Sequence, residues 1–260
     1  MIEASFLDIF GGADEPAVES PKDIVQLMQE MTAKPCQDCR LGMLYPTNAG
    51  LIWYGNPEAP IVVVGDMPSS GDMQARRAFA DHTGNELFSW FQQAGIPKKD
   101  LFYTYIIQCA TPDRTSKVAS RNGTQRSPSW SEVSACFTNR AMKLIKSLPN
   151  AEVIICLGMT VMEIILGGNP QAKSHYGFWF GSDLFPGKLI FCLPHPRDFD
   201  DETSQSRRDR LRQCLLYFTN EYYGRREDGK ELCPPKKALS ILHYREVERK
   251  QEKAKFSIFQ

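Results

Sequence analysis

Four short apolar runs constrain this chain more than any other feature. Ile61-Val62-Val63-Val64 is apolar without alternation and stops at Gly65. Val153–Leu157 stops at Gly158, and Leu189–Leu193 stops at Pro194. Phe102–Ile107 is a further strand candidate. A strand that is apolar at every position is buried on both faces, which is the situation of a parallel sheet covered by helices. The segments between these runs have helical spacing: Pro21–Met31, Glu86–Ala94, Ser131–Lys146 with Ser131 as N-cap, Thr160–Leu166 and Ser204–Tyr222. Strands alternating with helices predict an α/β protein: three αβα layers around a central, mostly parallel four-stranded sheet. Ligands of such sheets sit beyond the carboxyl ends of the strands. That directs attention to Gly65–Asp72, Gln108–Pro112 and Pro194–Phe199.

The chain has 260 residues, enough for one such domain. The pattern divides it into a loose segment 1–20, a domain over 21–223 and a charged extension over 224–260. No apolar run reaches the length of a membrane span. The first 21 residues contain acids and no Lys or Arg, unlike a secretory signal. These features predict a cytoplasmic monomer in a reducing compartment. Net charge is zero, so bulk charge does not advertise a nucleic-acid partner. Local charge is more suggestive: Arg207, Arg208, Arg210 and Arg212 cluster, and Arg114, Lys117, Arg121 and Arg126 punctuate the polar stretch Thr111–Pro128. Solvated helix faces and a phosphate-binding surface both fit this pattern.

Eight cysteines are present. Cys156, Cys192 and Cys214 lie in apolar runs and have the character of small core residues. Cys36-Gln37-Asp38-Cys39 is a CxxC pair, and Cys109 and Cys136 follow separately. Four thiolates suit a four-iron cluster. Structural zinc more often takes two CxxC-like pairs, although four cysteines can also hold zinc, and a redox pair is a third reading.

Several motifs, in order, now resemble one family. The cysteine pattern is similar to that of the family-four uracil-DNA glycosylases, which carry a [4Fe–4S] cluster. Residues 50–59 (Gly50 to Ala59) resemble that family's lead-in to its first strand, and Val64-Gly65-Asp66-Met67-Pro68 its GEAPG motif. Phe79, Gly84, Leu87, Cys109-Ala110-Thr111-Pro112, Leu157-Gly158 and His195-Pro196 fall where the family has equivalents. The resemblance spans about Cys36 to Tyr222. It implies a DNA partner, a cluster on Cys36, Cys39, Cys109 and Cys136, and a flipped nucleotide held against Gly65, Met67 and Pro68. Asp66 takes the place of the motif glutamate, stabilising the sugar cation and orienting a water. His195 donates to the pyrimidine O2 as the base leaves. Phe79 stacks on the base, and Arg197 and Phe199 follow the HP motif, where the superfamily places a wedge in the duplex. Asp72 occupies the next acidic position and reads as structural.

One departure bears on substrate. The family reads uracil with an asparagine four residues before its third cluster cysteine, and this chain has Tyr105 there. One hydroxyl cannot reproduce an amide's paired donor and acceptor. Asp66 is also shorter than glutamate, and Ser69 replaces glycine. These changes predict a glycosylase for a modified pyrimidine, such as hydroxymethylated or glucosylated cytosine in antiviral defence. A conventional uracil-DNA glycosylase and a catalytically silent nucleic-acid binder are the alternatives.

Overall fold

The structure is a computed structural model. It describes residues 24–33, 36–39, 41, 50–111, 126–167, 175–199 and 205–227. In chain order the elements are helix α1 (Ile24–Ala33), strands β1 (Trp53–Gly55) and β2 (Ile61–Gly65), helices α2 (Ser70–Ala75) and α3 (His82–Gln93), and strand β3 (Leu101–Tyr105). Helices α4 (Trp130–Cys136) and α5 (Met142–Ser147) flank a π-helical turn, Phe137–Ala141. They are followed by β4 (Val153–Leu157), α6 (Met159–Leu166), β5 (Trp179–Gly181), β6 (Leu189–Leu193), a 3₁₀ turn Pro196–Phe199, and α7 (Gln205–Glu227).

All four predicted strands are present, and they form the parallel centre β3-β2-β4-β6. The sheet has six strands rather than four, because β1 adds antiparallel to β3 and β5 antiparallel to β6 at the two edges. Both edge strands are three residues long, too short for periodicity to reveal them. β2, β3 and β4 are buried at every position. Since successive side chains point to opposite faces, the odd and even residues feed two separate cores. Val62, Val64, Phe102, Ile154 and Cys156 pack with α1, α4, α5 and α6. Val63, Tyr103, Tyr105, Ile155 and Leu157 pack with α3 and α7. Each such side chain withdrawn from water contributes about 1.5–3 kcal/mol. The sheet is thereby the wall between two helical layers, as predicted.

The chain runs from β2 outward to β3 and then returns to β4 on the other side of β2. The strand order reverses between β2 and β4, which is the switch point where open α/β sheets form a crevice.

The expected single helix Ser131–Lys146 is divided by the π-helical turn, and its cap is Ser129 rather than Ser131. Ser129 Oγ accepts the Glu132 N–H, and the Glu132 carboxylate accepts the Ser129 N–H at 2.8 Å, a complete capping box. Position Glu132, three residues on, is what selects Ser129. Helix α3 likewise begins earlier than expected, at His82, because the Asp81 side chain accepts the Gly84 N–H. Helix α7 runs on to Glu227, past the expected end at Tyr222. Residues 1–20, nearly all of the 224–260 extension, and Arg114, Lys117 and Arg121 lie outside the described residues. Among the described residues no helix is long and apolar enough to cross a membrane. Ser129→Ala should lower stability by about 1 kcal/mol and Ser131→Ala by much less. Chemical denaturation of the two variants checks the assignment, and equal losses would contradict it.

Candidate active site and cysteine cluster

Asp66 directly follows β2 and His195 follows β6, two strands held apart by β4. Strand spacing alone would set them about 10 Å apart. The side chains nevertheless converge, with His195 Nε2 3.7 Å from Asp66 Oδ1. The strand between them ends in Gly158, at φ +84°, where a Cβ would stand 3.1 Å from the His195 Cβ. The missing side chain leaves room for the histidine to cross the end of β4.

The backbone fixes both groups. Ile106 and Ile107 N–H donate to the Gly65 and Asp66 carbonyls at 2.9 and 3.0 Å. Asp66 Oδ1 accepts the Met67 N–H at 2.8 Å. The Arg197 N–H donates to His195 Nδ1 at 3.1 Å. A nitrogen that accepts carries no proton, so the neutral ring holds its proton on Nε2, the atom facing Asp66. Arg197 brings a guanidinium nitrogen to 3.9 Å from the same Asp66 oxygen. Asp66 is about one-third exposed while His195 is buried, so the carboxylate borders solvent and the imidazole forms the inner wall. The predicted Asp66, His195 and Arg197 thus meet at the switch point. Phe199 ends the adjacent 3₁₀ turn, and its side chain lies outside the described residues.

The loop after Asp66 shapes the next wall. Met67 and Pro68 are both buried in it. Asp72 is 1% exposed and organises three segments: Oδ2 accepts the Ser69 N–H at 2.8 Å and the Tyr105 hydroxyl at 2.8 Å, and Oδ1 accepts the Ala80 N–H at 2.6 Å. Tyr105 in turn accepts the Phe79 N–H at 2.9 Å. Burial, and then the neighbouring Asp72 carboxylate, hold its phenol well above the ordinary value, so it remains a neutral donor. Phe79 is held at φ +53°, uncommon for a bulky residue, with its ring 4.7 Å from that of Tyr105. Gly65 and Gly84 accommodate it. A Cβ at Gly65 would lie 2.8 Å from the Phe79 ring, and one at Gly84 would collide with the Phe79 carbonyl oxygen. Tyr105 therefore ties the Phe79 loop to β3 with its hydroxyl, a function that spacing alone does not reveal. Gln108 is similarly committed: its amide accepts the Ile52 N–H at 2.8 Å and donates to Thr104 Oγ1 at 3.1 Å.

The cysteines gather in the opposite layer. Cys36, Cys109 and Cys136 are buried and Cys39 is half-buried. Burial, and then the proximity of Cys36 and Cys39, push the Cys109 thiol up to about 12. Burial also pushes Cys136 up; the Gln108 backbone N–H opposes that rise, and the other three cysteines add to it. That N–H donates to Cys136 Sγ at 3.2 Å, as donors do to thiolate ligands. Among the described residues no three Cys, His, Asp or Glu side chains are placed to hold a single metal ion. A zinc ion draws four sulfurs to one point, whereas a four-iron cluster spreads its thiolates around a larger body. Four cysteines drawn from three separate segments into one layer are a donor set that suits a four-iron cluster and that zinc also accepts.

The polar stretch 112–125 lies outside the described residues, but its ends are tied together. Thr111 Oγ1 donates to the Arg126 carbonyl at 2.6 Å, and Arg126 makes a two-pronged pair with Glu132 at 2.6 and 2.8 Å.

Comparison with known proteins accords with this geometry. A family model described as the uracil DNA glycosylase superfamily matches residues 52–219, from β1 to the middle of α7. The chain is similar to a Type-4 uracil-DNA glycosylase of Thermotoga maritima, with 26% identity over 201 residues that cover 75% of this chain and 91% of the relative.

Tyr105→Phe should leave the Phe79 N–H and one Asp72 oxygen short of partners and destabilise the protein by about 1–3 kcal/mol. Unchanged denaturation would show that the hydroxyl is not holding this loop.

Proposed function

This chain belongs to the uracil DNA glycosylase superfamily and is a DNA glycosylase, a hydrolase; we propose that its substrate is DNA bearing a modified pyrimidine, which it releases from a flipped-out nucleotide to leave an abasic site. The convergence of Asp66, His195 and Arg197 at the switch point carries the catalytic part of this reading. The bond between C1′ and the base nitrogen breaks with both electrons going to the base. Positive charge then builds on the sugar and negative charge on the pyrimidine O2. The Asp66 carboxylate faces the cation and orients a water, whose oxygen bonds to C1′ while its proton passes to the carboxylate and on to solvent. The Nε2–H of His195, fixed by the Arg197 N–H on the other nitrogen, donates to O2. The departing base takes its proton from solvent. Phe79 is 2% exposed and packed on Tyr105, so it stacks on a base only where the nucleotide uncovers its ring; Gly65, Met67 and Pro68 line the approach.

The substrate part rests on Tyr105. Its hydroxyl is committed to Asp72 and to the Phe79 N–H, and it lacks the paired donor and acceptor that read a pyrimidine edge. A site without that pair gives up the contacts that favour uracil's edge over a substituted cytosine. Hydroxymethylated or glucosylated cytosine is the class proposed, in a defence setting. The second reading, a conventional uracil-DNA glycosylase, is favoured by the name of the Thermotoga maritima relative. A silent binder is disfavoured, because a binder has no need of the Asp66–His195 convergence.

We further propose that Cys36, Cys39, Cys109 and Cys136 hold a [4Fe–4S] cluster. When bound, it would supply a structural cross-link: the four ligands join the segment before β1, the end of β3 and the end of α4.

Base release under single-turnover conditions should be measured on matched DNA carrying uracil, thymine, hydroxymethylcytosine or glucosylated hydroxymethylcytosine, with Asp66→Ala as control. Release of a modified cytosine without uracil, abolished in the control, is expected. Rapid uracil release with inert modified cytosines would establish the conventional reading instead.

A further inference from the structure

Arg140 is a charged residue inside an apolar layer. It is 8% exposed and sits on the π-helical turn Phe137–Ala141, four residues after Cys136 and so on the same helical face. A π turn inserts an extra residue into the helix and re-aims the side chains it carries, often at functional positions. The Arg140 Nε donates to Asp38 Oδ2 at 3.1 Å, and a terminal nitrogen donates to the Met31 carbonyl at 2.9 Å. Asp38 lies between the two cysteines of the CxxC pair, and the Cys36 thiol donates to the same Oδ2 at 3.4 Å. A guanidinium stays cationic in proteins, and the Asp38 carboxylate pairs with this one at 3.1 Å. One buried cation therefore spans helix α1, the CxxC pair and the helix that carries Cys136.

This placement has an electrostatic consequence. A four-iron cluster on four thiolates is anionic, and a one-electron reduction makes it more so. A fixed neighbouring cation favours both states and the reduced one more; cluster potentials respond to local charge and to hydrogen bonds near the sulfurs. A planar guanidinium also holds two acceptors at once, which an ammonium does less well.

We propose that Arg140 is the positioning and charge-compensating residue of the four-cysteine centre: through Asp38 it latches the Cys36–Cys39 segment onto the helix bearing Cys136, and its charge raises the potential of the cluster. The inference rests on the cluster assignment made above, and the two fail in different ways.

The test uses the full-length protein purified anaerobically: wild type, Arg140→Lys, Arg140→Gln and Asp38→Asn. Three quantities are read: iron per chain, the rate at which visible absorbance decays in excess chelator, and the reduction potential by protein-film voltammetry. Arg140→Gln should lose the cluster about 10-fold faster or more, the usual scale for removing an outer partner of a metal centre, and its potential should move negative. Arg140→Lys should stay near the wild-type potential yet lose the cluster faster than wild type. Asp38→Asn should also lose the cluster faster, but its potential should move positive, because it removes an anion. That opposition of sign is one that simple loosening of the fold would not produce, and it can be read even if Arg140→Gln fails to load. Iron-loaded variants with wild-type potential and decay would overturn the role of Arg140 and leave the cluster standing. A wild type without iron would overturn the cluster assignment and the inference with it.

Discussion

Asp66 and His195 grow from strands that are not neighbours, and they meet across a strand whose end, at Gly158, carries no side chain. β4 separates β2 from β6 across the whole sheet. At its carboxyl end Gly158 takes a positive φ and leaves the histidine room to reach across. A Cβ there would stand 3.1 Å from the His195 Cβ, a tight contact, and would place a residue in a strained φ region. Much else serves this meeting: the backbone bonds that hold Asp66 against the segment after β3, the Arg197 N–H that sets the imidazole tautomer, and the double winding that brings the strand ends to one crevice.

The sheet also segregates its two specialised regions. Tyr105 and Phe79 pack with α3 and α7, and Cys39, Cys109 and Cys136 pack with α1, α4 and α5. They adjoin β3 and its continuation. Tyr105 closes that strand against the Phe79 loop, and Gln108, three residues on, anchors Ile52 with its side chain and donates to Cys136 with its backbone. A single stretch of backbone thus joins the buried Phe79–Tyr105 pair to the thiols.

The parallel core was legible because β2, β4 and β6 are uniformly apolar and end in Gly or Pro. The two edge strands were not: three residues carry no period, and Trp53-Tyr54-Gly55 and Trp179-Phe180-Gly181 are defined by their partners. Asp66 and His195 were legible as strand-end residues with flanking motif context, but their distance depends on Gly158, whose importance lies in what it omits. Tyr105 was legible as a departure from an asparagine. Its hydrogen bonds to Asp72 and Phe79 were not, since they join residues 33 and 26 positions apart. Arg140 carried one usable signal, its position one helical turn after Cys136. The partner that gives it meaning, Asp38, is 102 residues away.

The central claim is that Asp66 and His195 act together on one nucleotide. A double-mutant cycle tests it most directly, with Asp66→Asn, His195→Gln and the combined variant compared for single-turnover release of whichever base the wild type removes fastest. Groups that act as a unit are strongly non-additive, so each single variant should lose at least about 100-fold and the double variant little more than the worse single one. Wild-type release by either single variant, or losses that simply multiply, would contradict the account.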